Sequence, residues 1–153
     1  MKKNLCIVAP HPDDEILGCG GLIYNLKSLF SISVIYVTNI SNDNSFDSKK
    51  KLSRELEIKK IKKNCNFVNS IKFDFMPSSL SYANINRLIE NFRNIFDQIR
   101  PNIILIPNVN DAHSDHFFSN RAAVSSLKVF RAPYVDKIYS YEVLSETNFG
   151  AIP

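Results

Sequence analysis

The chain has 153 residues, 44% of them hydrophobic, with 11 Phe and 6 Tyr, enough to build the core of one domain spanning residues 1–153. Its three cysteines, Cys6, Cys19 and Cys65, show no Cys-x-x-Cys spacing, which excludes a disulfide scaffold and a thiolate zinc finger and fits reduced thiols in a cytoplasmic protein. The net charge of +4 is concentrated in residues 49–63, where no aromatic is interleaved, so a solvated helix face is expected there and no nucleic-acid partner.

Met1-Lys2-Lys3 and the apolar run after it imitate a signal peptide, but the run stops at Pro10, short of the ~7–15 apolar residues required. No stretch reaches the ~20 residues of a membrane span. Residues 5–9 read as a first buried strand. A helix is expected over 14–29 and a second strand over 32–37. The polar loop 39–48 leads to a basic helix over about 49–64. A weaker strand lies at 71–75. The helix over about 83–99 has the clearest pattern: Ile85, Leu88, Ile89, Phe92, Ile95, Phe96 and Ile99 share one face, and Pro101 stops it. Residues 102–106 form a fourth strand, 115–130 a helix and 137–144 a fifth strand.

Alternating strands and helices predict an α/β fold with a doubly wound, mostly parallel sheet. With strand order 3-2-1-4-5, strands one and four are neighbours at the point where the order reverses. Ligands of such sheets bind there, beyond the carboxyl ends of the strands.

All three histidines of the chain follow those two strands. The first segment is His11-Pro12-Asp13-Asp14-Glu15 and the second is Asp111-Ala112-His113-Ser114-Asp115-His116. Each segment taken singly could be a helix start, since proline suits the first turn and acidic side chains favour the positive end of the dipole. Capping gives no reason for three imidazoles. Imidazole and carboxylate together are the donor set of a metal site. Gly18-x-Gly20-Gly21 lacks dinucleotide-fingerprint spacing and is expected to serve close helix–sheet packing. Arg54 and Glu57 share a helix face with Ile58, Ile61 and Cys65, which turns them inward, as a structural ion pair or with Arg54 on the substrate side.

Ala9 to Glu15 followed by Leu17 to Gly21, the Asp111-x-His113-x-Asp115-His116 segment, and Arg54-x-x-Glu57 together resemble the PIG-L/LmbE-like family of zinc-dependent N-acetylglucosaminyl deacetylases. The resemblance implies a Rossmann-like sheet and one zinc ion per chain, held by His11, Asp14 and His116. It implies Asp13 as general base, a protonated His113 stabilising the oxyanion or leaving group, and Asp115 accepting a hydrogen bond from His113 to fix its tautomer. Arg54 would contact substrate. The reaction would hydrolyse the acetamide of an N-acetylated amino-sugar conjugate, a small molecule, to acetate and a free amine. Residues 38–43 lack the glycine and acid usual in the family after the second strand. The stop at Pro153 comes earlier than in most relatives, so a C-terminally truncated domain is expected, with a non-catalytic remnant or one half of a split enzyme as the alternative. The fifth strand would then form an edge open to self-association or to a companion chain.

Overall fold

A computed structural model of the chain describes residues 2–41 and 43–149. The last four residues, on which the expected truncation bears, lie outside this range. The order is β1 (Lys3–Ala9), α1 (Asp14–Leu26), β2 (Phe30–Thr38), α2 (Ser48–Cys65), β3 (Asn69–Phe75), α3 (Ile85–Ile99), β4 (Ile103–Pro107), α4 (Ser114–Ser126), β5 (Lys137–Tyr141) and α5 (Leu144–Thr147). The five strands form one sheet in the order β3-β2-β1-β4-β5, and every pairing is parallel. The expected doubly wound α/β fold and strand order are therefore present.

Alternation along the strands divides the interior into two cores, as a sheet covered on both faces requires. Cys6, Val8, Ile35, Val37, Ile104 and Ile106 pack with Leu88, Phe92 and Phe96 of α3 and Ala122 and Ala123 of α4. Leu5, Ile7, Ala9, Ile32, Val34, Tyr36 and Leu105 face the other way, toward Cys19 and Ile23 of α1 and Ile58 of α2. Register pairs Ile7 of β1 with Val34 on one side and Leu105 on the other. The central strand thus ends between its two neighbours, and the loops after β1 and β4 emerge side by side.

Three elements end three or more residues before the expected boundary. α1 stops at Leu26 rather than residue 29. α4 stops at Ser126, where the Ser126 hydroxyl donates to the Ala123 carbonyl and Leu127 folds back into the core, leaving Val129 and Phe130 exposed. β5 stops at Tyr141, and the short α5 follows. Val143 causes that turn: it is fully buried, and its backbone N–H donates to Thr147 Oγ1. The outer strand β5 leaves Ile138 and Tyr139 exposed. Cys6 and Cys19 are buried and Cys65 is half-buried; all three are free thiols. Among the described residues, no helix is long and apolar enough to cross a membrane.

Candidate metal centre and active site

His11 to Asp14 occupy the turn from β1 into α1, and Asp111 to His116 the turn from β4 into α4. The switch point brings His11, Asp14 and His116 together. Asp14 Oδ2 lies 3.4 Å from His11 Nδ1 and 3.3 Å from His116 Nε2. Tetrahedral coordination with bonds of about 2.0–2.1 Å places neighbouring donors about 3.3 Å apart. Asp14 is 3% exposed and His116 fully buried. His116 Nε2 has no hydrogen-bond partner although it is buried. A buried orphan nitrogen beside a carboxylate is what a metal would satisfy, so this donor set fits the metal implied by the sequence.

Two further carboxylates hold the imidazoles from behind. Asp111 Oδ2 is 2.7 Å from His116 Nδ1, and Asp115 Oδ2 is 3.0 Å from His11 Nε2. Asp115 also accepts from the backbone N–H groups of Ser78 and Leu80. Asp111 accepts at Oδ1 from the Thr147 hydroxyl, 2.6 Å away. Carboxylates placed in this way fix ring orientation and raise ligand basicity.

The charges are mutually adapted. Burial lowers the His11 pKa, but hydrogen bonds to Asp115 and Asp14 overcome this and push it up to about 9. Burial opposes ionisation of Asp14, yet contacts with His11 and His116 hold its carboxyl well below the usual range. Asp13 shifts upward through burial and the charge of Asp14. His113 shifts downward through burial and the neighbouring charge of His11.

The expected hydrogen bond from His113 to the Asp115 carboxylate does not form. His113 is the N-cap of α4, and its Nδ1 accepts from the Asp115 backbone N–H at 3.1 Å. The Asp115 carboxylate points toward His11 instead. A neutral His113 ring therefore carries its proton on Nε2. Its ring stands edge-on to that of His11, with centroids 4.5 Å apart. Burial and the charge of His11 shift its pKa downward, which favours the neutral ring over the expected imidazolium.

Asp13 lies beside the cluster with its side chain half exposed. Its backbone is strained: φ is 149°, a region that L-residues rarely occupy, at a cost of about 1–3 kcal/mol. The Asp13 N–H donates to Glu15 Oε2 at 3.0 Å, and Glu15 Oε1 accepts from the Tyr36 hydroxyl at 2.8 Å. Arg54 Nη1 donates to the Pro12 carbonyl at 2.8 Å and lies 3.7 Å from Asp13 and 3.4 Å from Glu57. Arg54 thus faces the site as its helix face implies, while Glu57 is largely exposed. A recess of about 200 Å³ opens among His11, Pro12, Asp13, Asn39, Ile40, Arg54 and Pro77.

Residue-type reasoning passes over Glu15, Tyr36, Thr38 and Thr147 as functional groups and gives Asp111 no role of its own. Thr38 uses both its N–H and its hydroxyl to hold the Pro10 carbonyl, just before His11. A threonine ending a buried strand beside the motif is a readable signal. Thr147 has none, since α5 lacks periodicity.

Comparisons with solved structures support the fold. A conserved protein from Thermus thermophilus superposes with a TM-score of 0.72 at 24% identity, over 92% of this chain and 66% of its own. N,N'-diacetylchitobiose deacetylase from Pyrococcus horikoshii gives 0.71 at 22% identity, over 88% and 52%. A deacetylase of teicoplanin biosynthesis gives 0.76 at 18% identity, over 99% and 72%. The chain thus spans 66% and 52% of the length of the first two. These overlaps cover most of this chain. No curated protein matches the chain. The PIG-L family, described as GlcNAc-PI de-N-acetylase, matches residues 6–127, the span that contains both histidine turns and the sheet between them, and the chain belongs to that family.

Proposed function

We propose that this protein is a zinc-dependent amidohydrolase that removes the acetyl group from an N-acetylated amino-sugar conjugate. The observation that carries this reading is the buried triangle of His11, Asp14 and His116, with its orphan Nε2, beside the half-exposed Asp13. In this reading the three residues hold one zinc per chain, and three protein ligands leave a position open for chemistry. Bound zinc supplies Lewis acidity toward a carbonyl and lowers the pKa of water.

The residues of the chain supply the rest. The Asp13 carboxylate takes a proton from the attacking water as the new C–O bond forms. His113 donates from Nε2–H to the carbonyl oxygen as negative charge develops there, which a neutral ring can do. Asp13 then returns its proton to the nitrogen as the C–N bond breaks, leaving acetate and the free amine. Asp115 acts through His11, whose ring it orients. Arg54 borders the recess next to Asp13 and is the residue in this reading that meets the sugar. Family membership supports the reaction class. Two of the structural neighbours are deacetylases, one of them acting on N,N'-diacetylchitobiose, which supports an amino-sugar substrate.

The test is acetate release from N,N'-diacetylchitobiose and related N-acetylglucosamine conjugates, with zinc supplied and then removed by chelation. Chelator-sensitive acetate release is expected. Metal-independent release, or none from any conjugate at stoichiometric zinc, would sink the proposal.

A further inference from the structure

The Pro12–Asp13 peptide is gripped at both ends. Arg54 Nη1 holds its carbonyl oxygen at 2.8 Å, and Glu15 Oε2 holds its N–H at 3.0 Å. The orientation of this peptide plane sets φ of Asp13, which is 149°. A residue left to itself does not stay in that conformation, so the surroundings must impose it. Glu15 is well suited to do so. It is fully buried, and its second oxygen is held by the Tyr36 hydroxyl at 2.8 Å. Tyr36 is itself fully buried in β2, the strand beside β1. Neither Glu15 nor Tyr36 belongs to the metal triangle, and both carboxylate oxygens of Glu15 are taken up by the Asp13 N–H and the Tyr36 hydroxyl.

We infer that Glu15 and Arg54, with Tyr36 locking Glu15, are positioning residues that clamp the Pro12–Asp13 peptide and thereby aim the Asp13 carboxylate. The inference rests on the proposed role of Asp13 as base. An acid at residue 15 is on this account more than a favourable charge at the start of α1. It accepts the N–H of the strained residue, so that the base and the metal ligand Asp14, adjacent in sequence, face different directions.

The test uses Glu15→Ala, Glu15→Gln and Tyr36→Phe in zinc-supplemented protein. The first readout is the Asp13 backbone amide in an NMR spectrum. A charge-assisted hydrogen bond moves this resonance downfield and slows its exchange. In Glu15→Ala it should move upfield and exchange about tenfold faster, while zinc content stays at the wild-type level. Glu15→Gln keeps one acceptor for Asp13 and a donor for Tyr36, so it should restore most of the shift. Tyr36→Phe should move the resonance in the same direction by less, and it decides the matter if Glu15→Ala does not fold.

The second readout is kinetic. Glu15→Ala should lower kcat about 100-fold, the scale of an ångström-level misplacement, with little change in KM. In an Asp13→Asn background the same substitution should cost little further, because the aimed group is already gone. A general structural defect would cost as much in either background. An unmoved Asp13 amide in Glu15→Ala or Tyr36→Phe, or an additive loss in the double variant, overturns the clamp. If the wild-type protein releases no acetate, the deacetylase reading falls, and the amide measurement still decides the clamp.

Discussion

Asp111 Oδ2 lies 2.7 Å from His116 Nδ1, and both side chains are fully buried. The carboxylate can only accept, so in the neutral ring Nδ1 carries the proton and Nε2, which faces Asp14, is left free for a metal. The tautomer needed by a metal ligand is set by the fold before any metal arrives.

Asp111→Asn should therefore weaken zinc binding about 10–100-fold without removing a ligand. His116→Ala should abolish stoichiometric binding. Thr147→Val removes one hydrogen bond to Asp111 and should have a smaller effect in the same direction. Competition titration with a zinc chromophore measures all three. Equal affinity of Asp111→Asn and wild type would mean that the Asp111 contact does not control the ring.

Much of this centre is legible in the residues themselves. Histidines after two buried strands predict their own convergence once the sheet is taken as doubly wound, because topology alone joins the ends of β1 and β4. The partner of Asp115 is not legible. Its side chain could turn to His113, two residues away, or to His11 across the sheet end, and the backbone N–H of Asp115 decides by occupying His113 Nδ1. Tyr36 and Glu15 are separated by 21 positions and meet through the β1–β2 register, which no local pattern encodes. Thr147 is hidden for another reason: α5 is a four-residue helix without a periodic face.

Neighbouring aspartates should separate cleanly. Asp13→Asn should retain zinc and lower kcat about 10²–10⁴-fold, the usual range for a general base. Asp14→Asn should lose zinc first. Metal analysis alongside acetate release distinguishes them, and the opposite pattern would exchange their roles.

Proton competition should be visible in zinc binding. In chelator-treated protein His11 has its pKa pushed up to about 9, above the unperturbed value of about 6.5. Its ion pairs therefore stabilise that protein fully below pH ~6.5, and the contribution fades as pH rises through about 9. Zinc requires neutral imidazole, so its affinity should rise with pH across the same interval, with protons released on binding. Calorimetry in buffers of different ionisation enthalpy reads that release directly. Affinity that stays flat from pH 6 to 9 would contradict the coupling.

The sequence groups the three glycines of α1 together in helix–sheet packing, yet the structure distinguishes them. A Cβ at Gly18 would overlap the Tyr141 ring and come within 3.0 Å of the Glu142 carbonyl. The ring cannot swing aside without cost, because its hydroxyl donates to the Val8 carbonyl at 2.7 Å inside the core. A Cβ at Gly20 would make only ordinary contact with Ile16, and at Gly21 nothing lies within 4 Å. Gly18→Ala should thus destabilise the protein by about 1–3 kcal/mol through overpacking. For a domain of this size that lowers Tm by roughly 2–4 °C per kcal/mol. Gly21→Ala should do the reverse, gaining about 0.5–1 kcal/mol because alanine loses less backbone entropy in a helix. Thermal unfolding of the two variants beside wild type checks both signs at once. A Gly18→Ala protein as stable as wild type would show that Tyr141 is not pinned as the structure places it.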